Sequence, residues 1–141
     1  MALSKSEREA FLSEPHVAAL SVEAEPGRAP LTVPIWYHYT PGGRPWLLTG
    51  TESRKLNLIR AAGRFTLMVD SVSPKIMYVS VSGDAVDMTA GTREDLRTMA
   101  SRYLPAEAVE PYLEMAERDH GPQTKVYLEP RQWLSLDLGS L

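Results

Sequence analysis

Seven consecutive residues, 49–55, combine the chemical groups that proteins use to bind phosphate. They read Thr-Gly-Thr-Glu-Ser-Arg-Lys, so three hydroxyl groups and a glycine lead into a predicted helix whose first turn carries two cations. Cations at this end of a helix face its positive dipole, which costs up to about 1 kcal/mol unless an anion is present. Together with the unpaired amides of a helix start, these groups predict a phosphate site formed by Thr49, Thr51, Ser53, Arg54 and Lys55.

The same turn has a second explanation. Arg54 and Lys55 could be solvated charges with Glu52 as their local counter-ion, because charged first turns are common and the dipole energy is small. The seven residues alone leave both interpretations open.

The chain on either side of this stretch is predicted to be mainly β-strand. Ser4 and Glu7 have the spacing of a capping box, which predicts a short helix ending near Ser13. Gly63 stands where a glycine usually closes a helix, so a second helix is predicted at residues 52–62. Apolar alternation and β-branched residues predict strands at 16–24, 31–39, 45–49, 65–70 and 76–89, the last bent near Gly83.

The strand at 31–39 alternates cleanly between two faces. The face predicted to be core carries Leu31, Val33, Ile35, Tyr37 and Tyr39. Pro34 lies on the other face and has no N–H group to donate to a ladder. The strand is therefore predicted to be bulged at Pro34 or to lie at the edge of its sheet.

After Thr92 the apolar period becomes helical, and Pro105 separates two helical segments. Residues 125–128 and 133–138 then predict a final strand. Strands followed by a helix pair and one closing strand favour a mainly β fold, an antiparallel β-barrel with an αα insertion before its last strand. With 141 residues, the chain is predicted to form one domain, residues 1–141.

The composition argues against several classes of function. The sequence has no cysteine, so it can form no disulfide, thiolate nucleophile or thiolate metal site. The three histidines are scattered, and no metal site is predicted. A net charge of −3 without a basic stripe argues against nucleic acid as a partner. Without a signal-peptide pattern or a long apolar stretch, we expect a cytoplasmic protein that makes no contact with a membrane.

The sequence resembles the pyridoxamine 5'-phosphate oxidase-like split β-barrel superfamily, and more closely its deazaflavin (coenzyme F420)-dependent reductases. The resemblance runs from about Glu7 to Asp137. It is carried by RAPLTVPIWY at residues 28–37, WLLT at 46–49, SRKLNL at 53–58 and FTLMV at 65–69.

This resemblance implies a homodimer with two cofactor sites at the subunit interface. It assigns the cofactor phosphate to the hydroxyl and cationic residues of the 49–55 stretch. It implies that the cofactor ring lies along the backbone of Val33, Pro34, Ile35 and Trp36. Further candidates, contributed by the other subunit, are Pro74, Lys75, Tyr78 and Trp133.

The resemblance also implies a function, an F420H2-dependent reductase that passes hydride to an electron-poor double bond of a small planar molecule. Two alternatives stay open, an FMN-dependent oxidoreductase and a non-catalytic protein that binds or stores F420, FMN or haem. The second anion clamp of a pyridoxamine phosphate oxidase is not recognisable in the sequence. A diffuse basic rim for the acidic F420 tail is expected from Arg28, Arg60, Arg64 and Lys75. Because the cofactor performs the hydride transfer, the sequence identifies no catalytic side chain, although Tyr37, Tyr78 and Tyr127 are possible acids.

Overall fold

The computed structural model describes residues 1–140, which form seven β-strands and four α-helices. The helices are α1 (Lys5–Ser13), α2 (Arg54–Ala62), α3 (Arg93–Tyr103) and α4 (Ala106–Asp119). The strands are β1 (Ala18–Val22), β2 (Leu31–Ile35), β3 (Tyr37–His38), β4 (Trp46–Gly50), β5 (Arg64–Ser71), β6 (Lys75–Ala90) and β7 (Gln123–Ser140).

All seven strands belong to one antiparallel sheet with the order β2-β1-β5-β6-β7-β4-β3. The two edge strands, β2 and β3, are consecutive in the chain and are separated only by Trp36. The chain therefore connects the two edges of the sheet at this residue, which we call the seam. The predicted antiparallel barrel with an αα insertion before its last strand is confirmed.

Local sequence signals account for the first two helices. The Ser4 hydroxyl accepts a hydrogen bond from the Glu7 N–H at 3.2 Å, and the Glu7 carboxylate accepts one from the Ser4 N–H at 2.9 Å. This is the predicted capping box, and α1 ends at Ser13 as expected. Helix α2 ends at Gly63, whose φ of 72° lies in the left-handed region that favours glycine.

The core of the barrel is apolar, as the alternation of the strands predicts. Its fully buried side chains come from six of the seven strands, all but β2, and from α1 and α2. They include Leu12, Leu20, Tyr37, Leu47, Leu56, Leu67, Val79, Val81 and Leu128. Pro34 lies in an edge strand, opposite Ala19 of β1, and the ladder continues through it. The predicted strand is interrupted two residues later, at Trp36, which separates β2 from β3.

The pairing of β6 with β7 is irregular at Gly83, near which the sequence predicts a bend. A Cβ atom at Gly83 would overlap the backbone carbonyl of Glu129, so only glycine allows the two strands to approach this closely. Ser82 pairs with Gln132 and Gly83 with Pro130, which leaves Arg131 as an extra residue in β7. Because the bulge absorbs this residue, β7 is one continuous strand that includes both predicted segments, 125–128 and 133–138.

Helices α3 and α4 form a hairpin with a small core of its own. Ala100, Val109 and Leu113 are buried between the helices, and Leu96, Leu104 and Tyr112 pack against them. On the outer surface, Arg97 bonds to Glu110 at 2.7 Å and to Glu94 at 2.8 Å. The hairpin is therefore held together internally, and its position on the barrel depends on separate contacts.

Candidate functional site

A pocket of about 370 Å³ opens at the seam of the barrel. We call it the central pocket. The ends of β2 and β4, the first turn of α2, the start of β7 and the α3–α4 hairpin all contribute to its walls. Its lining residues are Val17, Pro34, Ile35, Trp36, Leu48, Thr49, Gly50, Lys55, Leu96, Met99, Tyr112, His120 and Gln123.

Lys55, in the first turn of α2, lines this pocket and places the start of the helix at its wall. The first turn of α2 carries no acidic residue, whereas the first turns of the other three helices each carry at least one. Within residues 1–140, Lys55 takes part in no salt bridge. The Lys55 ammonium and the helix dipole thus place uncompensated positive charge at one wall of the pocket.

Ser53 and Thr49 shape the beginning of this helix. The Ser53 hydroxyl accepts a hydrogen bond from the Leu56 N–H at 3.2 Å and caps α2. It also lies 2.9 Å from the hydroxyl of Thr49, which is buried at the end of β4 and lines the pocket. The transition from strand to helix is therefore fixed by the hydroxyl residues that the sequence identified.

Arg54 and Thr51 are directed to other partners. The Arg54 guanidinium donates two hydrogen bonds, of 2.7 and 3.0 Å, to the carboxylate of Glu25. These bonds from Arg54 lower the pKa of Glu25 to about 2. The Thr51 hydroxyl lies 3.0 Å from that of Thr124 in β7. Of the five predicted phosphate residues, Thr49 and Lys55 line the central pocket, and Ser53 supports them from the helix cap.

Three of the four predicted ring-binding residues, Pro34, Ile35 and Trp36, line the pocket next to this cationic wall. Val33 packs against the barrel core instead. The Trp36 indole stacks on Tyr103, with ring centres 4.6 Å apart, and on Tyr112 at 5.6 Å. The Trp36 side chain is thus held by the hairpin.

The C-terminal turn of α3 is anchored to the seam and to α1. The Tyr103 hydroxyl accepts a hydrogen bond from the Tyr37 N–H at 3.1 Å and lies 2.7 Å from the carbonyl oxygen of His16. The Arg102 guanidinium donates to the carbonyl oxygens of Ser13 and Glu14, both at 2.7 Å. These bonds satisfy backbone groups at the seam and at the end of α1 that have no helix or strand partner.

The hairpin provides an apolar wall that sequence reasoning did not assign to the site. Leu96 and Met99 of α3 and Tyr112 of α4 line the central pocket. Their helical spacing was apparent from the sequence, but it predicted only that the hairpin packs on the barrel. Burial raises the pKa of Tyr112 above the ordinary tyrosine value of 10.0, so its hydroxyl stays protonated well into the alkaline range.

The three tyrosines considered as acids lie outside this pocket. The Tyr37 hydroxyl is buried and donates to the carbonyl oxygen of Leu12 at 2.6 Å. Tyr127 lies beneath the charged groups of Arg44 and Lys125. Tyr78 lies on the outer face of the sheet, opposite Leu136. Tyr112 is therefore the tyrosine that the structure brings to the pocket.

The remaining predicted residues also lie elsewhere in this chain. Trp133 pairs with the buried Val81 and packs against the core, with the Arg8 guanidinium 4.6 Å above its ring. Lys75 faces Asp137 at 3.7 Å, and Pro74 is exposed. Of the expected basic rim, Arg64 faces Glu23 at 3.6 Å, while Arg28 and Arg60 are exposed away from the pocket lining.

The outer face of β5, β6 and β7 is apolar and open. Val72, which directly follows β5, and Leu134 and Leu138 of β7 are each at least 60% exposed. With Met68, Ile76 and Tyr78 they line a shallow recess of about 430 Å³. We call this surface the outer apolar face.

The outer apolar face continues across the sheet to the central pocket. Residues directly opposite one another in an antiparallel sheet share a face. The pairing therefore gives one row across five strands, made up of Pro34, Ala19, Met68, Ser80 and Leu134.

Neither protein-family models nor curated proteins match this sequence. Solved structures do match it. A conserved hypothetical protein from Mycobacterium tuberculosis is 20% identical, with a TM-score of 0.74 and coverage of 97% of this chain and 86% of that one. An F420 reductase is 18% identical, with a TM-score of 0.60 and coverage of 89% and 94%. An FAD-binding protein from Mesorhizobium loti is 19% identical, with a TM-score of 0.63 and coverage of 100% and 97%.

At these identities the likeness establishes the fold. The chain has the split β-barrel fold of the pyridoxamine 5'-phosphate oxidase-like proteins, a fold found in F420- and flavin-binding proteins. The resemblance drawn from the sequence is confirmed at this level. Over residues 1–140, no helix is long and apolar enough to cross a membrane, and no group of three or more potential metal ligands lies together.

Proposed function

We propose that this protein is a reductase that binds reduced F420 and transfers hydride from it to an electron-poor double bond of a small planar molecule. One observation carries the proposal. Two segments that are separate in the sequence, Pro34–Trp36 and the start of α2 with Lys55, meet in the central pocket. A phosphorylated cofactor with a planar ring needs both of these walls.

The residues of the pocket fit such a cofactor. Lys55 and the start of α2 offer positive charge to a phosphate, and the Thr49 hydroxyl is a neighbouring hydrogen-bonding group. The ring would lie along the backbone of β2 at Pro34 and Ile35. Once bound, F420 supplies the hydride chemistry, so the protein has to bind, orient and exclude water.

The hairpin wall of the central pocket suits an apolar hydride acceptor. Leu96 and Met99 give this wall an apolar surface, which excludes water and accepts a planar hydrocarbon ring. Tyr112 is half-buried beside them, and its protonated hydroxyl can donate a proton to the anion that hydride addition leaves on the acceptor, after which solvent returns a proton to the tyrosine. The cofactor side of the pocket would therefore be formed by β2 and α2, and the substrate side by the hairpin.

The same proposal includes a homodimer formed through the outer apolar face. Exposed Leu134 and Leu138 would otherwise remain in water. The row of paired residues that ends at Leu134 begins at Pro34, which lines the central pocket. A second copy seated on this row would reach the edge of the pocket, and it would bring its own Tyr78 to the interface.

An FMN-dependent oxidoreductase is the second candidate. The FAD-binding protein from Mesorhizobium loti shares this fold, and a phosphate site at Lys55 would accept the FMN phosphate equally well. The two cofactors differ in the ring and the tail, and among the described residues that line the pocket Lys55 is the only lysine or arginine.

Titration of the purified, cofactor-free protein with F420 and with FMN tests the proposal. Quenching of tryptophan fluorescence reports binding, and a Trp36→Phe variant separates the signal of the pocket from those of Trp46 and Trp133. We expect F420 to bind more tightly, with most of the quenching lost in the variant. Tighter binding of FMN would favour the second candidate, and no binding of either would contradict both.

Turnover is the second part of the test. We expect oxidation of F420H2 to depend on an added enone or quinone acceptor. Tight F420 binding without oxidation by any member of a broad acceptor panel would contradict the reductase and favour a protein that only binds or stores the cofactor.

A further inference from the structure

A second recess adjoins the central pocket behind the hairpin. It has a volume of about 240 Å³ and lies between the end of β4, the start of β7 and the two helices of the hairpin. Leu96, Ala116 and Pro122 give it a largely apolar lining. We call it the side recess.

Only three side chains line both spaces. Leu48 of β4, Leu96 of α3 and Gln123 of β7 appear in the lining of the central pocket and of the side recess, so they form the wall between them in the described chain. Leu48 and Gln123 are fixed by the sheet, where β4 pairs with β7 up to Gly50 and Gln123. Leu96 is the part of this wall that a helix contributes, and it is only half-buried.

The backbone keeps the side recess open at Gly91. A Cβ atom there would lie 3.0 Å from a terminal carbon of Leu48 and 3.2 Å from the carbonyl oxygen of Gln123. Any larger residue would press on the wall between the two spaces. Glycine at this position therefore leaves Leu48 and Leu96 as the groups that limit passage from one space to the other.

We propose that Leu96 sets the length of the apolar substituent that the substrate carries. The electron-poor ring occupies the substrate side of the central pocket, and a short hydrocarbon chain on that ring runs towards the side recess as far as Leu96. The inference rests on the proposed function, because it takes the hairpin wall as the substrate side. The substrate class it names is a planar, electron-poor ring with a hydrocarbon substituent.

A series of 4-nitrophenyl alkyl ethers, from methyl to octyl, provides the test. These planar, electron-poor probes quench tryptophan fluorescence, so their affinity can be measured without any cofactor. Each methylene that becomes buried should strengthen binding by about fourfold, and the gain should stop where the chain meets Leu96. Leu96→Ala should move this limit to longer chains, and Leu96→Phe should move it to shorter ones.

Leu104→Ala is the matched control. Leu96 and Leu104 are both half-buried leucines that pack against the same small core of the hairpin, but Leu104 lines neither space. Both alanine variants should lose similar stability, since each leaves a cavity beside that core. Only the Leu96 variants should shift the chain-length limit, and the opposite shifts of Leu96→Ala and Leu96→Phe cannot arise from destabilisation.

An unchanged limit in both Leu96 variants, or the same shift in Leu104→Ala, would overturn the inference. F420 titration of the same proteins keeps it distinct from the proposed function. A shifted limit without F420 binding would support Leu96 as the size determinant and contradict the reductase. F420 binding with an unchanged limit would support the proposed reductase and contradict Leu96 as the size determinant.

Discussion

The hydroxyl group of Tyr103 takes the place of a strand partner for Tyr37. It accepts a hydrogen bond from the Tyr37 N–H at 3.1 Å and lies 2.9 Å from the Tyr37 carbonyl oxygen. Tyr37 follows Trp36 directly, and the Trp36 ring stacks on Tyr103. One residue of the hairpin therefore holds both the seam of the barrel and the aromatic wall of the central pocket.

Tyr103→Phe should lower the free energy of unfolding by about 1 to 3 kcal/mol, because it leaves the Tyr37 N–H without its partner. Urea denaturation measures the loss. Tyr112→Phe is the matched control, since both tyrosines stack on Trp36 but no hydrogen bond of the Tyr112 hydroxyl is found among the described residues. Equal losses in the two variants would show that the Tyr103 hydroxyl does not hold the seam.

Lys55→Ala should weaken binding of the phosphorylated cofactor by about 1 to 3 kcal/mol, the loss of one charged hydrogen bond. This corresponds to roughly 5-fold to 150-fold in Kd. Arg54→Ala should have a much smaller effect, because the Arg54 guanidinium is already bonded to Glu25. Fluorescence titration with F420 and FMN measures both variants.

Arg60→Ala on the last turn of the same helix controls for the loss of one positive charge from α2. An effect of Arg54→Ala as large as that of Lys55→Ala would show that Arg54 leaves Glu25 to bind the phosphate. An unchanged affinity in Lys55→Ala for both cofactors would remove the phosphate site from α2.

The Glu25–Arg54 pair predicts a pH-dependent contribution to stability. Its hydrogen bonds lower the pKa of Glu25 from 4.5 to about 2, so the folded state favours the ionised carboxylate. The contribution is therefore fully present above pH 4.5 and is lost as the pH falls towards 2. The difference in unfolding free energy between the wild type and Glu25→Gln should shrink over this range.

Arg54→Ala provides the background in which this effect should disappear. In that background, Glu25→Gln should produce no comparable pH-dependent difference, since the hydrogen-bond donor is gone. A difference that persists without Arg54 would assign the pH dependence to another partner of Glu25.

The sequence predicts those parts of the site that depend on residues close together in the chain. Thr49, Ser53 and Lys55 lie within one strand-to-helix transition, where the cap, the dipole and the residue types act over a few positions. Arg54 and Thr51 belong to the same stretch, but their partners, Glu25 and Thr124, are 29 and 73 residues away in the sequence. Local patterns contain no information about such partners.

The apolar wall was missed for a related reason. The helical period of Leu96 and Met99 shows that α3 has an apolar face, and the antiparallel barrel could be predicted from similar patterns. Periodicity does not specify which surface an apolar face covers. On this hairpin Leu96 and Tyr112 pack against the small internal core and also line the central pocket. This arrangement depends on the anchoring of Tyr103 and Arg102 to the rest of the chain.

The outer apolar face predicts that the protein forms a dimer and that a single charged substitution on this face dissociates it. Leu134 is 62% exposed in the row that leads to Pro34, so Leu134→Glu would place a carboxylate at the proposed interface. Ala106→Glu adds the same charge at an exposed position of the hairpin and should leave the assembly intact. Light scattering should give a dimer for the wild type and Ala106→Glu and a monomer for Leu134→Glu. If the cofactor site needs the partner's residues, F420 affinity should fall with the monomer, whereas a wild-type monomer that binds F420 tightly would show that one chain completes the site.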